Sequence, residues 1–124
     1  MFNITNLAGG RLDFPFMPTK IQPYTKGILI KSTGVGRVMR KLSFGSDMEL
    51  VAISVGASLY EVTDYWNFYV NGQMICETIY TKDLPEGIHF MAVIPVIAGQ
   101  QLEFEYINNG GRVKDIWVNL QLLM

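Results

Sequence analysis

The strongest constraint on this chain lies between Tyr65 and Tyr80. Tyr-Trp-Asn-Phe-Tyr-Val and Gln-Met-Ile-Cys-Glu-Thr-Ile-Tyr flank the dipeptide Asn71-Gly72 there. Both flanks are rich in aromatic and β-branched residues, and Asn-Gly readily takes positive φ at both central positions of a type I′ turn, so the stretch reads as a β-hairpin. A two-residue turn sets the register. Val70 is expected opposite Gln73, Phe68 opposite Ile75 and Trp66 opposite Glu77, with Tyr69 opposite Met74, Asn67 opposite Cys76 and Tyr65 opposite Thr78. One face then carries Trp66, Phe68, Val70, Ile75 and Ile79 and is read as core. The other carries Tyr65, Tyr69, Met74 and Tyr80, with Asn67, Cys76 and Thr78 among them. A solvated face would be plainly polar; this one is expected either to be covered by more of the chain or to bind something.

The rest of the sequence repeats the strand signature. Apolar alternation predicts strands over 26–33, 37–44, 101–107 and 113–123. Residues 48–55 form a nearly continuous apolar run, expected as a central strand buried on both faces. In 88–96, Ile88, Phe90, Ala92 and Ile94 face one way and His89, Met91 and Val93 the other. Gly34-Val35-Gly36, Gly45-Ser46-Asp47, Asp83 to Gly87, Ala98-Gly99 and Asn108 to Gly111 are turns by residue chemistry. Arg40 falls on the apolar side of its strand, which points to an edge strand guarded against unwanted pairing. The last strand puts Ile116, Val118, Leu120 and Leu122 inward and Asp115, Trp117, Asn119 and Gln121 outward. About eight short strands without a helical period predict an all-β antiparallel sandwich, jelly-roll-like, over residues 26–124; a closed barrel is the alternative. Residues 1–25 are broken by Gly9-Gly10, Pro15, Pro18 and Pro23 yet hold Phe2, Ile4, Leu7, Leu12, Phe14, Phe16 and Met17. They read as an extended N-terminal arm packed on this domain or on a neighbouring subunit.

At 49% hydrophobic and 17% charged residues, the 124-residue chain is not disordered, and part of its apolar surface is expected to be shared with a partner. No apolar run reaches the roughly 18 residues needed to span a bilayer, so no membrane segment is expected. Met-Phe-Asn-Ile-Thr-Asn lacks the basic start and apolar core of a signal peptide. The single Cys permits no internal disulfide, which suits a reducing cytoplasm. The halves differ in charge: residues 1–60 hold seven basic and three acidic side chains, net +4, and residues 61–124 hold three basic and eight acidic, net −5. Interleaved strands would mix the two; segregation would create complementary patches that guide association.

Chemistry-bearing residues are few. His89 is the only histidine, too little for a His-based metal site, and is expected as a half-buried strand residue. Cys76 has no basic neighbour in sequence to activate it and reads as a small packed residue. Glu103 and Glu105 point the same way along a strand, on an expected solvated face. The Gly-x-Gly at Gly34 precedes a strand rather than a helix, so it is a turn and not a phosphate cradle. Lys31, Arg37, Arg40 and Lys41 form one basic cluster, but they lack the aromatic interleaving that nucleic-acid binding requires. No catalytic, metal or cofactor-binding residue emerges. Trp117 stands out among acidic and amide neighbours on an outer face. With Tyr65, Tyr69, Tyr80, Tyr106 and Asn119 it suits either sugar stacking or a subunit interface.

Three motifs lie in the second half: Trp66-x-Phe-Tyr-Val-Asn-Gly-Gln73, Gly87-x-x-Phe-x-x-Val-Ile-Pro-Val-x-Ala-Gly99, and Phe104-Glu-Tyr-Ile-Asn-Asn-Gly-Gly111. From about Tyr65 onward the chain resembles the small β-sandwich accessory proteins of tailed bacteriophage particles. The resemblance implies no catalytic residue. It implies a non-enzymatic virion component (head decoration, tail or baseplate), oligomeric with a trimer favoured, in contact with other virion proteins. Such a protein would be made in the host cytoplasm and carried in the virion; a chain not encoded by a phage would be cytoplasmic. The alternative is a carbohydrate-binding module whose exposed aromatic residues engage glycans, including host glycans.

Overall fold

A computed structural model describes residues 18–82 and 85–124. The expected arm residues 1–17 and residues 83–84 of the expected turn lie outside the described residues. Eight strands follow in order: β1 (Pro23–Ser32), β2 (Gly36–Ser43), β3 (Met48–Ala57), β4 (Tyr65–Val70), β5 (Gln73–Tyr80), β6 (Glu86–Val96), β7 (Gln101–Asn108) and β8 (Lys114–Leu123). They form two four-stranded antiparallel sheets, ordered β1-β8-β3-β6 and β2-β7-β4-β5. This is the jelly-roll order, in which the chain passes back and forth between sheets. Among the described strands only β4 and β5 are both consecutive and paired, and they are the Asn71-Gly72 hairpin. Asn71 and Gly72 have φ of 50° and 79°, as a type I′ turn requires.

The inward alternation of both sheets meets in one core. Trp66, Phe68, Leu102, Phe104 and Tyr106 come from one sheet, and Leu50, Ile53, Ile116, Val118 and Leu120 from the other; all are fully buried. The Trp66 and Phe104 rings pack at a centroid distance of 5.5 Å. Trp66 Nε1 is a buried side-chain donor with no partner.

The topology interleaves the two halves of the chain. β1 lies against β8, β2 against β7, and β3 between β8 and β6. Lys31 thereby sits opposite Asp115 and Lys41 opposite Glu103. The opposite charges of the two halves therefore meet strand by strand rather than forming separate patches.

Three expectations are corrected. First, β1 begins at Pro23, not Lys26, because Gln22 and Met124 exchange backbone hydrogen bonds of 3.2 and 2.8 Å beyond the strand end. Glu49 pins the preceding residues, accepting from the backbone N–H groups of Thr19 and Lys20, each at 2.9 Å. Second, the hairpin holds the expected register only next to its turn. Val70 pairs with Gln73 and Tyr69 with Met74, but Phe68 then meets Cys76, Trp66 meets Ile79 and Tyr65 meets Tyr80. Bulges absorb the extra residues of β5. Thr78 takes φ of 53° there, and its N–H donates to Asn67 Oδ1 at 2.6 Å. Cys76 consequently turns into the core instead of onto the tyrosine face. Third, His89 is exposed rather than half-buried, on an edge strand whose pairing with β3 is interrupted by residues 90–93.

β2 is an edge strand, as Arg40 suggested, and Arg40 reaches across to the Leu29 carbonyl at 3.4 Å. β3 is central, as its apolar run predicted.

Candidate interaction surfaces

Two clusters of buried carboxylates and their partners stand out. At one end of the sandwich the Lys114 ammonium lies wholly inside and bridges Asp64 and Glu61, at 2.7 Å from the latter. Asp64 also accepts from Tyr106 Oη at 3.0 Å and from the backbone N–H groups of Asn109 and Gly110 at 2.8 and 2.9 Å. Burial pushes the Asp64 carboxyl up, but the bonds from Lys114, Gly110 and Tyr106 and the Lys114 charge outweigh it and hold it below its ordinary value. Burial first, then the Asp64 charge, drives the Tyr106 hydroxyl well above its usual range. Every polar group here faces another, so the cluster ties the 57–64 and 108–114 connections to the core.

The second cluster lies on the outer face of the β2-β7-β4-β5 sheet. Glu105 accepts from Asn67 Nδ2 and Arg37 Nη1, both at 2.8 Å, and from Tyr69 Oη at 3.3 Å. Desolvation raises its carboxyl, but the three donors and the Arg37 charge hold it below its ordinary value. Glu105 is thus buried under its neighbours and not solvated as expected; only a tertiary neighbourhood of donors distinguishes it from Glu103. Around this hub stand the tyrosines. Tyr65 and Tyr80 pack at a centroid distance of 5.4 Å. Tyr69 is half-buried, while Tyr80 and Met74 are 52% and 39% exposed.

The outer face of the β1-β8-β3-β6 sheet carries Trp117, 45% exposed, opposite Leu29 on one side and Gly56 on the other. Asn119 is exposed and lies opposite Gly27 and Ser54. A groove of about 370 Å³ runs beside the indole, between it and Tyr60 and Pro85.

The sequence grouping of aromatic residues is therefore corrected. Tyr106 is fully buried and bonded to Asp64, so it cannot serve as a platform. Trp117 and Asn119 lie on one sheet's outer face, and Tyr65, Tyr69 and Tyr80 on the other's. The basic cluster is also dispersed. Lys31 faces Asp115 across β1 and β8, and Arg37 is tied to Glu105. Arg40 and Lys41 line an open cleft of about 590 Å³ between β1 and β2, together with Lys26, Tyr24 and Phe44. Sequence reasoning missed the Asp64–Lys114 pair and the glycine-floored groove. The inward position of Lys114 in a strand whose later inward residues are aliphatic was the available signal for the first.

Among the described residues no group of three or more His, Cys, Asp or Glu side chains is arranged to hold a metal ion, and no helix is long and apolar enough to cross a membrane. Comparison with known proteins gives a family match over residues 21–124, to a family described as a domain of unknown function, DUF8551. No curated protein matches the chain. Among solved structures it is similar to a Podospora anserina GH26-CBM35 beta-(1,4)-mannanase, with 14% identity and a TM-score of 0.43 over 80% of this chain and 27% of that one. It is also similar to dimeric latent PorU from Porphyromonas gingivalis, with 10% identity and a TM-score of 0.41 over 83% of this chain and 13% of that one. In both cases it spans well under two thirds of the other protein's length.

Proposed function

For a chain that belongs to the DUF8551 family, we propose a non-enzymatic role as a structural and interaction protein that assembles into a closed homo-oligomer, with a trimer favoured, as a component of a phage-like particle. The observation that carries this reading is the tyrosine face. Tyr65, Tyr69, Tyr80 and Met74 stand together on one outer sheet surface, with Tyr80 and Met74 open to solvent, over a base fixed by the Glu105 hydrogen bonds. Tyrosine and methionine are enriched at interfaces, and contiguous apolar surface on a small domain marks a contact site. A rigid base lowers the entropy lost when a partner is bound. The charged groups of both clusters are bonded to one another, which suits a scaffold better than acid–base chemistry. The jelly-roll order is one that viral capsid and lectin domains use, and with the motifs of β4 to β7 it supports the particle setting by analogy alone.

Size-exclusion chromatography with light scattering tests the assembly. The expected result is a discrete oligomer that dissociates in the Tyr80→Asp/Met74→Asp double variant. A monomer at high micromolar concentration contradicts the proposal. Mass spectrometry of particles purified from cells that encode the protein tests the setting: its presence at fixed stoichiometry is expected, and its absence removes the virion role.

A further inference from the structure

We propose that the groove beside Trp117 is a binding site for a neutral carbohydrate, on the sheet face opposite the tyrosine surface. The groove is built by what its strands lack. Gly56 lies directly across from Trp117, and Gly27 and Gly87 flank the neighbouring row of Asn119 and Ser54. A Cβ added at Gly56 would stand 3.5 Å from Tyr60 Oη and 3.7 Å from the Pro85 Cβ, so glycine is what keeps the floor open there. A Cβ at Gly27 would press to 3.2 Å on the Asn119 amide oxygen. The result is a flat strip beside a standing indole, walled on its far side by Tyr60 and Pro85.

The polar groups bordering this strip are unspent. Among the described residues the Asn119 amide and the Ser54 hydroxyl have no hydrogen-bond partner. The Tyr60 hydroxyl accepts from the Ala57 N–H at 3.2 Å, which leaves its own proton to donate. An aromatic face flanked by an amide and two hydroxyls matches a pyranose ring. The axial C–H groups of the sugar lie on the indole, and its equatorial hydroxyls meet donors and acceptors at the rim. Among the described residues no side chain lining the groove is charged. An anionic ligand would find no counter-charge, and a purely apolar one would strand the amide and hydroxyls. The ligand class is therefore a neutral hexose or pentose oligomer, bound along the strip.

This site is independent of the assembly face, and the two are separable by experiment. Purified protein is titrated with soluble neutral hexasaccharides (glucan, mannan, xylan and galactan types) and with an oligogalacturonate, by calorimetry and by tryptophan fluorescence. There are only two tryptophans, and Trp66 is wholly buried, so a fluorescence change on titration reports Trp117. At least one neutral oligomer is expected to bind and to protect Trp117 from acrylamide. Trp117→Ala should lower affinity at least tenfold. Gly56→Val, which fills the floor and keeps the indole, should do the same, whereas Tyr80→Asp should not. Binding of none of the neutral oligomers, binding only of the uronate, or binding unchanged in Trp117→Ala would overturn the proposal. So would conversion of an oligomer to monomer by Trp117→Ala without sugar binding in the parent, which would make this face a subunit contact. Circular dichroism of each variant confirms that it is folded.

Discussion

Asp64 and Glu105 are each held by several donors, and both titrate below their ordinary values of 3.8 and 4.5. A depressed carboxyl binds protons more weakly in the folded state than in the unfolded one, so its stabilisation is complete above the unfolded pKa and is lost as pH falls through the folded one. Stability measured by urea denaturation is therefore expected to be flat near neutrality and to fall below about pH 4.5, and Glu105→Gln should flatten the upper part of that decline. Asp64→Ala leaves the Lys114 ammonium buried with Glu61 as its remaining counter-charge and is expected to destabilise by about 3–5 kcal/mol, a large share of a small domain's stability. Cys76 offers a contrasting case: burial pushes its thiol up to about 11. It should resist Ellman's reagent in the native protein and react fully in denaturant, and rapid native reaction would contradict its place in the core.

The decisive element is the β4–β5 hairpin. Its turn residues adopt left-handed backbone angles that glycine and asparagine tolerate, so Gly72→Ala is expected to cost about 1–2 kcal/mol in urea melts. Asn67 serves two neighbours at once, accepting from the Thr78 N–H and donating to Glu105. Asn67→Ala should cost about 2–3 kcal/mol, because it strands a partly buried N–H and removes a donor from a buried carboxylate. The turn itself was legible in the sequence, because Asn-Gly imposes its own geometry. The bulges were not. They add residues to β5 so that Ile79 and Cys76, rather than Glu77 and Ile75, sit opposite Trp66 and Phe68, and that exchange is favoured only by the opposing sheet and by the Asn67 side chain. Likewise Glu105 and Glu103 carry the same alternation signal and both lie between β2 and β4, and only the donors brought to Glu105 by Arg37, Asn67 and Tyr69 distinguish them.

At the scale of the whole molecule, two sheets share one dry interior while their outer surfaces differ. One presents tyrosines and methionine over a salt-bridged base; the other presents an indole beside a glycine floor. Phe104 stacks near Trp66 at the centre of that interior, and Phe104→Ala should destabilise by about 3–5 kcal/mol through the cavity it leaves. The strand order also leaves β1 and β6 on one sheet and β2 and β5 on the other as edges. Arg40 and the irregular β6 pairing guard two of them against open-ended association, which favours contact through faces and closed assemblies.

The sequence by itself determined the class of fold, the positions of the strands, the hairpin turn and the inward set of the last strand, because residue alternation and turn chemistry act over neighbouring residues. Tertiary structure decided which aromatic residues remain outside. Tyr106 shares the alternation of Leu102 and Phe104 and ends with them in the core, where its hydroxyl is held by an aspartate 42 residues away in the chain. Trp117 gained its groove from Gly56 and Ser54 on the neighbouring β3 and from Tyr60 and Pro85 outside the strands. Such neighbours are brought together only when eight strands cross between two sheets, and local periodicity carries no record of that pairing.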